Sequence, residues 1–277
     1  HESLRTSFHM LGDEIVQKVH DKVEFAVGYS QKPITDTQTI ITVFIRPFDL
    51  SQAPLIRVSL LKQEDQKHLF IVDIHHIVSD GVSHNLLIKD FWDIYNGLEV
   101  PRLRFQYKDF SEWQEKDKSE ILKKQEAYWL KQFETEVPVL NLPTDYIRPE
   151  IMSFEGSTVA FEIGVEETGA LNRIAAEEGA TLFIILLAVL NILLAKISGQ
   201  EDIVIGVPTT GRRHPDLQEI IGFFVNTLAI RNHPAFTKTF KQFLKEVKEN
   251  TLNAFDNQDY QFESLVGAVV KKRDRSR

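Results

Sequence analysis

The apolar positions of this chain fall into short runs whose spacing separates strands from helices. TIITVFIR (Thr39 to Arg46) is apolar and β-branched and predicts a strand. LIRVSLLK and HLFIVDIH predict two more, and the polar QEDQ at Gln63 to Gln66 between them is the pattern of an antiparallel hairpin. From Ser83 onward, Leu86, Leu87, Phe91, Ile94 and Tyr95 recur at helical spacing, and Asn96-Gly97 supplies a stop. A second helix is predicted from Ser119 to Phe133.

Beyond it, VPVLNLPTDYIRPEIMSFEG carries Pro138, Pro143 and Pro149, which interrupt any regular element. A strand (STVAFEIG), a helix (VEETGALNRIAAEEG), a long apolar helix and a further strand (DIVIGVPTT) follow. Strands and helices thus alternate on both sides of the prolines. The pattern predicts an α/β fold in two lobes, residues 1–143 and 156–277, joined by a proline-rich crossover at 144–155.

The long apolar segment, TLFIILLAVLNILLAKI from Thr181 to Ile197, invites a membrane reading. It falls short of the roughly 20 apolar residues of a spanning helix, carries Asn191 inside and stops at Lys196, so it predicts a helix buried on all sides in a large core. At 43% apolar and 26% charged, the 277 residues have the composition of a globular protein. A net charge of -8 provides no clustered positive charge for nucleic acid or an anionic membrane, and the terminal KKRDRSR reads as a plain charged tail. The absence of cysteine excludes disulfides, thiolate metal sites and cysteine nucleophiles, and it suits a cytoplasmic protein. The chain opens on His1 and stops in a charged run, as expected of a fragment of a longer polypeptide.

Candidate chemistry concentrates in DIHHIVSDGVSHNLL, Asp73 to Leu87, between the third predicted strand and the first predicted helix. No G-x-S-x-G elbow, G-x-x-x-x-G-K-[ST] loop or G-x-G-x-x-G is present, which counts against ordinary esterases, P-loop enzymes and dinucleotide oxidoreductases. Geometry counts against a metal at His75, His76 and Asp80, because consecutive strand residues point to opposite faces and no HExxH spacing supplies further ligands. If the strand runs through the pair, His76 shares a face with Phe70, Val72 and Ile74, and His75 with Ile71 and Asp73. One histidine then enters a cavity while the other supports the loop. A histidine can take a proton from an attacking amine or hold that amine in place. Asp80 would pair with a cation, and Gly81 would allow a positive φ or close approach by a substrate. The competing reading is a core histidine beside a helix N-cap, with SDG as a plain turn.

The stretch resembles the HHxxxDG motif of the condensation domains of nonribosomal peptide synthetases, here HHIVSDG. HESLRTSF (His1 to Phe8) looks like the second motif of that family, YKDFSEW (Tyr107 to Trp113) the fourth, and IGFFVNTLAIR (Ile221 to Arg231) the fifth. NQDYQFE (Asn257 to Glu263) looks like the sixth and RDRSR (Arg273 to Arg277) the start of the seventh. The resemblance spans the whole chain, whereas the family domain extends beyond it at both ends.

The resemblance implies a chloramphenicol-acetyltransferase-like fold, a two-lobed V-shaped pseudo-dimer with an active-site tunnel between the lobes. It implies amide formation between a donor aminoacyl or peptidyl thioester and an acceptor amine. Both would be carried on the 4'-phosphopantetheine of upstream and downstream peptidyl carrier proteins, beside an adenylation domain of the same polypeptide, with no cofactor or metal bound by the domain itself. Carried over by position, His76 becomes the functional residue, as general base or as positioner of the amine. His75, Asp80, Gly81 and Arg5 become its supports, with Arg5 pairing to the buried Asp80 and Gly81 beside the pantetheine arm. Asn226, Gln258 and Asp259 become substrate-tunnel residues, whereas Phe223, Phe224 and Trp113 are read as packing. His75 and His76 exclude the cyclization relatives, whose motif has aspartates there, and GFFVNTLAIR looks more like the peptide-bond formers than the epimerization domains; the donor is expected to be L-configured. Two alternatives are a related acyltransferase using soluble acyl thioesters and a noncatalytic docking module of the same fold.

Overall fold

The structure, a computed structural model, describes residues 1–31, 37–116 and 119–270. RDRSR lies outside the described residues. The chain forms two compact units, His1–Asp117 with Thr210–Val225 and Lys118–Thr209 with Asn226–Arg277. The chain therefore changes unit near residue 117 and again at 210 and 225, and the segment 144–155 runs within the second unit.

The first unit opens with a 3-10 turn, Glu2–Arg5, followed by the antiparallel hairpin of β1 (Thr6–Leu11) and β2 (Glu14–Val19). A second sheet has the order β3 (Val27–Ser30), β4 (Ile56–Glu64), β5 (Lys67–Ile74), with β3 parallel and β5 antiparallel to β4. The predicted hairpin is therefore present, because its β-branched runs pair across a polar turn. The run at 39–46 is not a strand: α1 (Thr37–Phe44) occupies it. A short apolar run fits either period, and here the helical hydrogen bonds are the ones formed. After β5 come α2 (Gly81–Tyr95) and α3 (Tyr107–Lys116). The buried Leu55, Val78, Leu86, Ile220, Ile221 and Phe224 lie in this unit.

The second unit contains α4 (Glu120–Gln132), α5 (Val165–Glu177), α6 (Leu182–Ser198), β6 (Ile203–Thr209), β7 (Asn226–Asn232), α7 (Phe240–Asp256) and α8 (Phe262–Val269). β6 and β7 form an antiparallel pair, and helices α4 to α8 contribute to a core that includes Trp129, Ile185, Leu228, Ile230, Leu244 and Val247. Ser119 caps α4 by accepting from Leu122 N, and Thr239 and Gln242 form a capping box on α7.

Two sequence expectations fail in this unit. Residues 157–164 form no strand, and Val159 and Phe161 stand 88% and 83% exposed; a strand exists only by pairing, and each of the seven strands described pairs elsewhere. Helix α6 is not buried on all sides. Ile184, Ile185, Leu187, Ala188, Asn191 and Ala195 are buried, while Phe183, Leu186, Leu190, Leu193 and Ile197 are exposed. Composition reports how apolar a helix is, and only its neighbours decide which stripe they cover. No single helix among the described residues is long and apolar enough to cross a membrane.

Candidate functional site

The histidine loop begins where the β4–β5 ladder ends, at the pair Ile56–Ile74. His75 N donates to Leu55 O at 3.0 Å, and His75 then caps a 3-10 turn, His76–Val78, its Nδ1 accepting from Ile77 N at 3.0 Å. The strand does not run through the pair, so the turn, rather than strand alternation, sets the two rings apart. The His75 ring also meets Phe48 edge-on at 6.0 Å. His75 is thus a structural cap.

His76 is exposed and differently held: its Nδ1 lies 2.7 Å from Ser79 O. A carbonyl can only accept, so Nδ1 carries the hydrogen and Nε2 of the neutral ring keeps its lone pair. Nε2 makes no hydrogen bond to the described residues. The sequence pattern pointed to this histidine through resemblance, and the local turn explains why it is the one with a free basic nitrogen.

Asp80 sits at the N-cap of α2 and is fully buried. Its Oδ1 accepts from Ser83 N and Ser83 Oγ, each at 2.8 Å, and from Arg212 Nη2 at 3.0 Å. Its Oδ2 accepts from Arg212 Nη2 and from Phe224 N, both at 3.1 Å. Burial alone pushes the carboxyl upward, but the bonds from Ser83 and Phe224 and the Arg212 charge outweigh it and hold Asp80 below the usual carboxylate range. Arg212 is itself lowered, chiefly by burial, with Asp80 opposing that shift.

The expected pair between Arg5 and Asp80 is not formed. Arg5 Nη2 donates to Glu2 Oε1 at 3.0 Å, and its Nη1 donates to His20 O. Glu2 lies one 3-10 turn away, so the nearer carboxylate takes the arginine, and the cation for Asp80 comes from 132 residues downstream. Arg212 was missed because it lies in no motif quoted above; its one local signal is the preceding Gly211. That glycine has φ +64, and a Cβ there would collide with Phe224 O.

Further partners join the buried carboxylate to the 220–224 segment. Ser83 Oγ accepts from Gly222 N at 3.0 Å and Arg212 Nη2 at 2.9 Å, while Arg212 Nη1 donates to Leu217 O and Ile220 O. Tyr107, in the fourth motif, donates to Phe223 O at 2.8 Å. Burial first, then the Asp80 charge, push its hydroxyl up to about 12, against the opposing effect of Arg212. Its ring lies against Gly222, where any Cβ would strike it. Gly81, by contrast, has open space over its Cα and no positive φ.

Asn226, Gln258 and Asp259 come together in the second unit. Asn226 Nδ2 donates to Gln258 O at 2.8 Å and Tyr260 O at 2.9 Å, while its Oδ1 accepts from Thr227 N and Phe262 N. Gln258 Oε1 accepts from Thr209 Oγ1 at 2.6 Å. Gln125, which carried no motif, receives Asp259 N and Tyr260 N on its Oε1 and donates to Asp259 Oδ2 at 2.9 Å. The Asn226 amide therefore fastens the 258–262 loop to β7. Asn226→Ala strips partners from two carbonyls and two amides and is expected to destabilise the second unit by about 2–4 kcal/mol in denaturant unfolding. Wild-type unfolding with slowed turnover would instead mark Asn226 as a substrate contact.

The sequence matches the Condensation domain family over residues 1–277. It is 51% identical over 278 aligned residues to tyrocidine synthase 3 of Brevibacillus parabrevis, covering 100% of this chain and 4% of that protein. Among solved structures, a four-domain nonribosomal peptide synthetase bound to AMP and glycine aligns with a TM-score of 0.89 and 26% identity over 99% of this chain and 21% of that one. The X-domain in complex with OxyB from teicoplanin biosynthesis aligns with a TM-score of 0.91 and 24% identity, covering 100% of this chain and 64% of that one.

Proposed function

Since the chain belongs to the condensation-domain family of the nonribosomal peptide synthetases, we propose that it takes part in amide formation between two carrier-bound substrates. In this reading the donor is an aminoacyl or peptidyl thioester, and the acceptor is the free amine of an aminoacyl thioester. Each hangs on the 4'-phosphopantetheine of its own carrier protein, in a polypeptide that also holds an adenylation domain. The chloramphenicol-acetyltransferase-like pseudo-dimer belongs to the same proposal.

The observation that supports it most is the unoccupied lone pair of His76 Nε2, held by the Nδ1 bond to Ser79 O. The neutral amine donates a hydrogen bond to Nε2 and attacks the thioester carbonyl. As the C–N bond forms, the amine proton passes to Nε2; as the C–S bond breaks, that proton goes to the departing sulfur, leaving a free thiol and an amide. No acyl-enzyme is required. His75 and the Asp80–Arg212 pair act by holding the loop that carries His76.

The likeness to the X-domain complex speaks for the fold, which by itself fits catalysis and docking equally. The free Nε2 favours catalysis. Carrier dependence is tested by comparing a donor on a loaded carrier with the same acyl group on coenzyme A. Amide formation at least about 100-fold faster from the carrier is expected, equivalent to about 2.7 kcal/mol; equal rates would instead identify an acyltransferase of soluble thioesters.

Gly81 gives a second test. Gly81→Ala meets no protein atom and leaves thermal unfolding unchanged, while the half-saturating carrier concentration rises about tenfold if the pantetheine arm passes there. Unchanged saturation would move the arm elsewhere.

A further inference from the structure

We infer that Phe223 is a positioning residue for His76, setting the direction in which Nε2 points; this deepens the proposed reaction and rests on it. The two rings meet edge to face, centroids 5.1 Å apart and planes at 84°. Phe223 is 38% exposed, whereas its neighbour Phe224 is 4% exposed and packs against Tyr107 and Phe110. The two phenylalanines were read alike from the sequence, yet only Phe224 is core. Phe223 is the more exposed of the two, and the His76 imidazole is the one ring it meets among the described residues.

The backbone around Phe223 is fixed on every side. Gly222 N donates to Ser83 Oγ, Phe223 O accepts from Tyr107 Oη, and Phe224 N donates to Asp80 Oδ2. Asp80 also caps the helix that begins directly after the histidine loop. One carboxylate thus ties the base of the His76 loop to the strip that bears Phe223. The His76 ring has a single hydrogen bond among the described residues, at Nδ1, and a single bond leaves a ring free to swing about it. The Phe223 ring supplies the second contact and holds the imidazole plane.

The test uses single-turnover amide formation in the polypeptide that carries this chain, with Phe223→Leu, Phe223→Tyr and His76→Ala. Phe223→Leu is expected to lower the rate at saturating acceptor by about 10- to 100-fold, with thermal unfolding and acceptor half-saturation unchanged. Phe223→Tyr keeps the ring and restores the rate. Phe223→Leu adds nothing in a His76→Ala background, because its effect passes through that histidine. A wild-type rate in Phe223→Leu, a raised half-saturation, a fall that Tyr does not repair, or an additive fall in the double variant overturns the positioning role and leaves the proposed function standing. A wild-type rate in His76→Ala overturns both.

Discussion

His76→Ala slows single-turnover amide formation by about 10²–10⁴-fold, the usual contribution of a positioned proton acceptor, while the protein unfolds at its normal temperature. The two halves of this expectation have separate causes. His76 is exposed and its ring makes one hydrogen bond among the described residues, to Ser79 O, so removing the ring costs the fold little. The attacking amine, however, loses the one basic nitrogen that the loop leaves unoccupied. Rapid-quench sampling of the loaded carriers, with a parallel thermal melt, checks both halves. A variant that keeps its rate takes His76 out of the reaction; one that unfolds makes the loss of rate uninformative about chemistry and contradicts the structural half.

Asp80→Ala has its largest effect on stability, about 3–5 kcal/mol, because it leaves a guanidinium buried without its counter-charge. The Arg212 side chain is 1% exposed, and Ser83 N and Phe224 N lose their acceptor as well. At about 2–4 °C per kcal/mol for a domain of this size, the melting temperature falls by about 10 °C. Removing both charges, as in Asp80→Leu with Arg212→Met, costs less than the two single changes added together. The pH dependence follows from the same carboxylate. Its folded pKa is depressed, so its contribution is complete above the unfolded value of about 3.9 and is lost as pH falls through the lower folded value. Melting curves from pH 7 downward should show acid destabilisation setting in below about pH 4 that Asp80→Asn lacks in part. An unchanged melt for Asp80→Ala would remove the pair from the account.

Elements whose determinants are local were legible in the chain. The β4–β5 hairpin, helix α2 behind its Asp80 cap and helix α4 behind Ser119 all follow from spacing and capping within a few residues. Apart from the short apolar run that became α1, what failed depends on distant neighbours. Residues 157–164 alternate like a strand but find no partner among the described residues, and α6 carries an apolar stripe that those residues leave exposed. The site divides in the same way. HHIVSDG announces itself, and the turn that separates its two histidines is built within five residues, from His75 to Ser79. The cation for Asp80 lies 132 residues away, and Arg5, which stands in a recognisable motif, was the natural but wrong choice. Gln125 has no signal at all, since a glutamine within a helix is ordinary until its amide is seen holding a loop 134 residues on. Asn226 was legible as important; that all its bonds go to backbone was not.

Intact-protein mass spectrometry of the two carriers after one turnover decides whether an acyl group passes between them in a step that depends on His76. A donor-loaded upstream carrier and an acceptor-loaded downstream carrier are mixed with the polypeptide that carries this chain. The downstream carrier is expected to gain the mass of the donor acyl group and the upstream carrier to return as free thiol, with His76→Ala suppressing both changes together. Carriers that bind yet exchange no mass with any donor, or a transfer that His76→Ala leaves untouched, would contradict it.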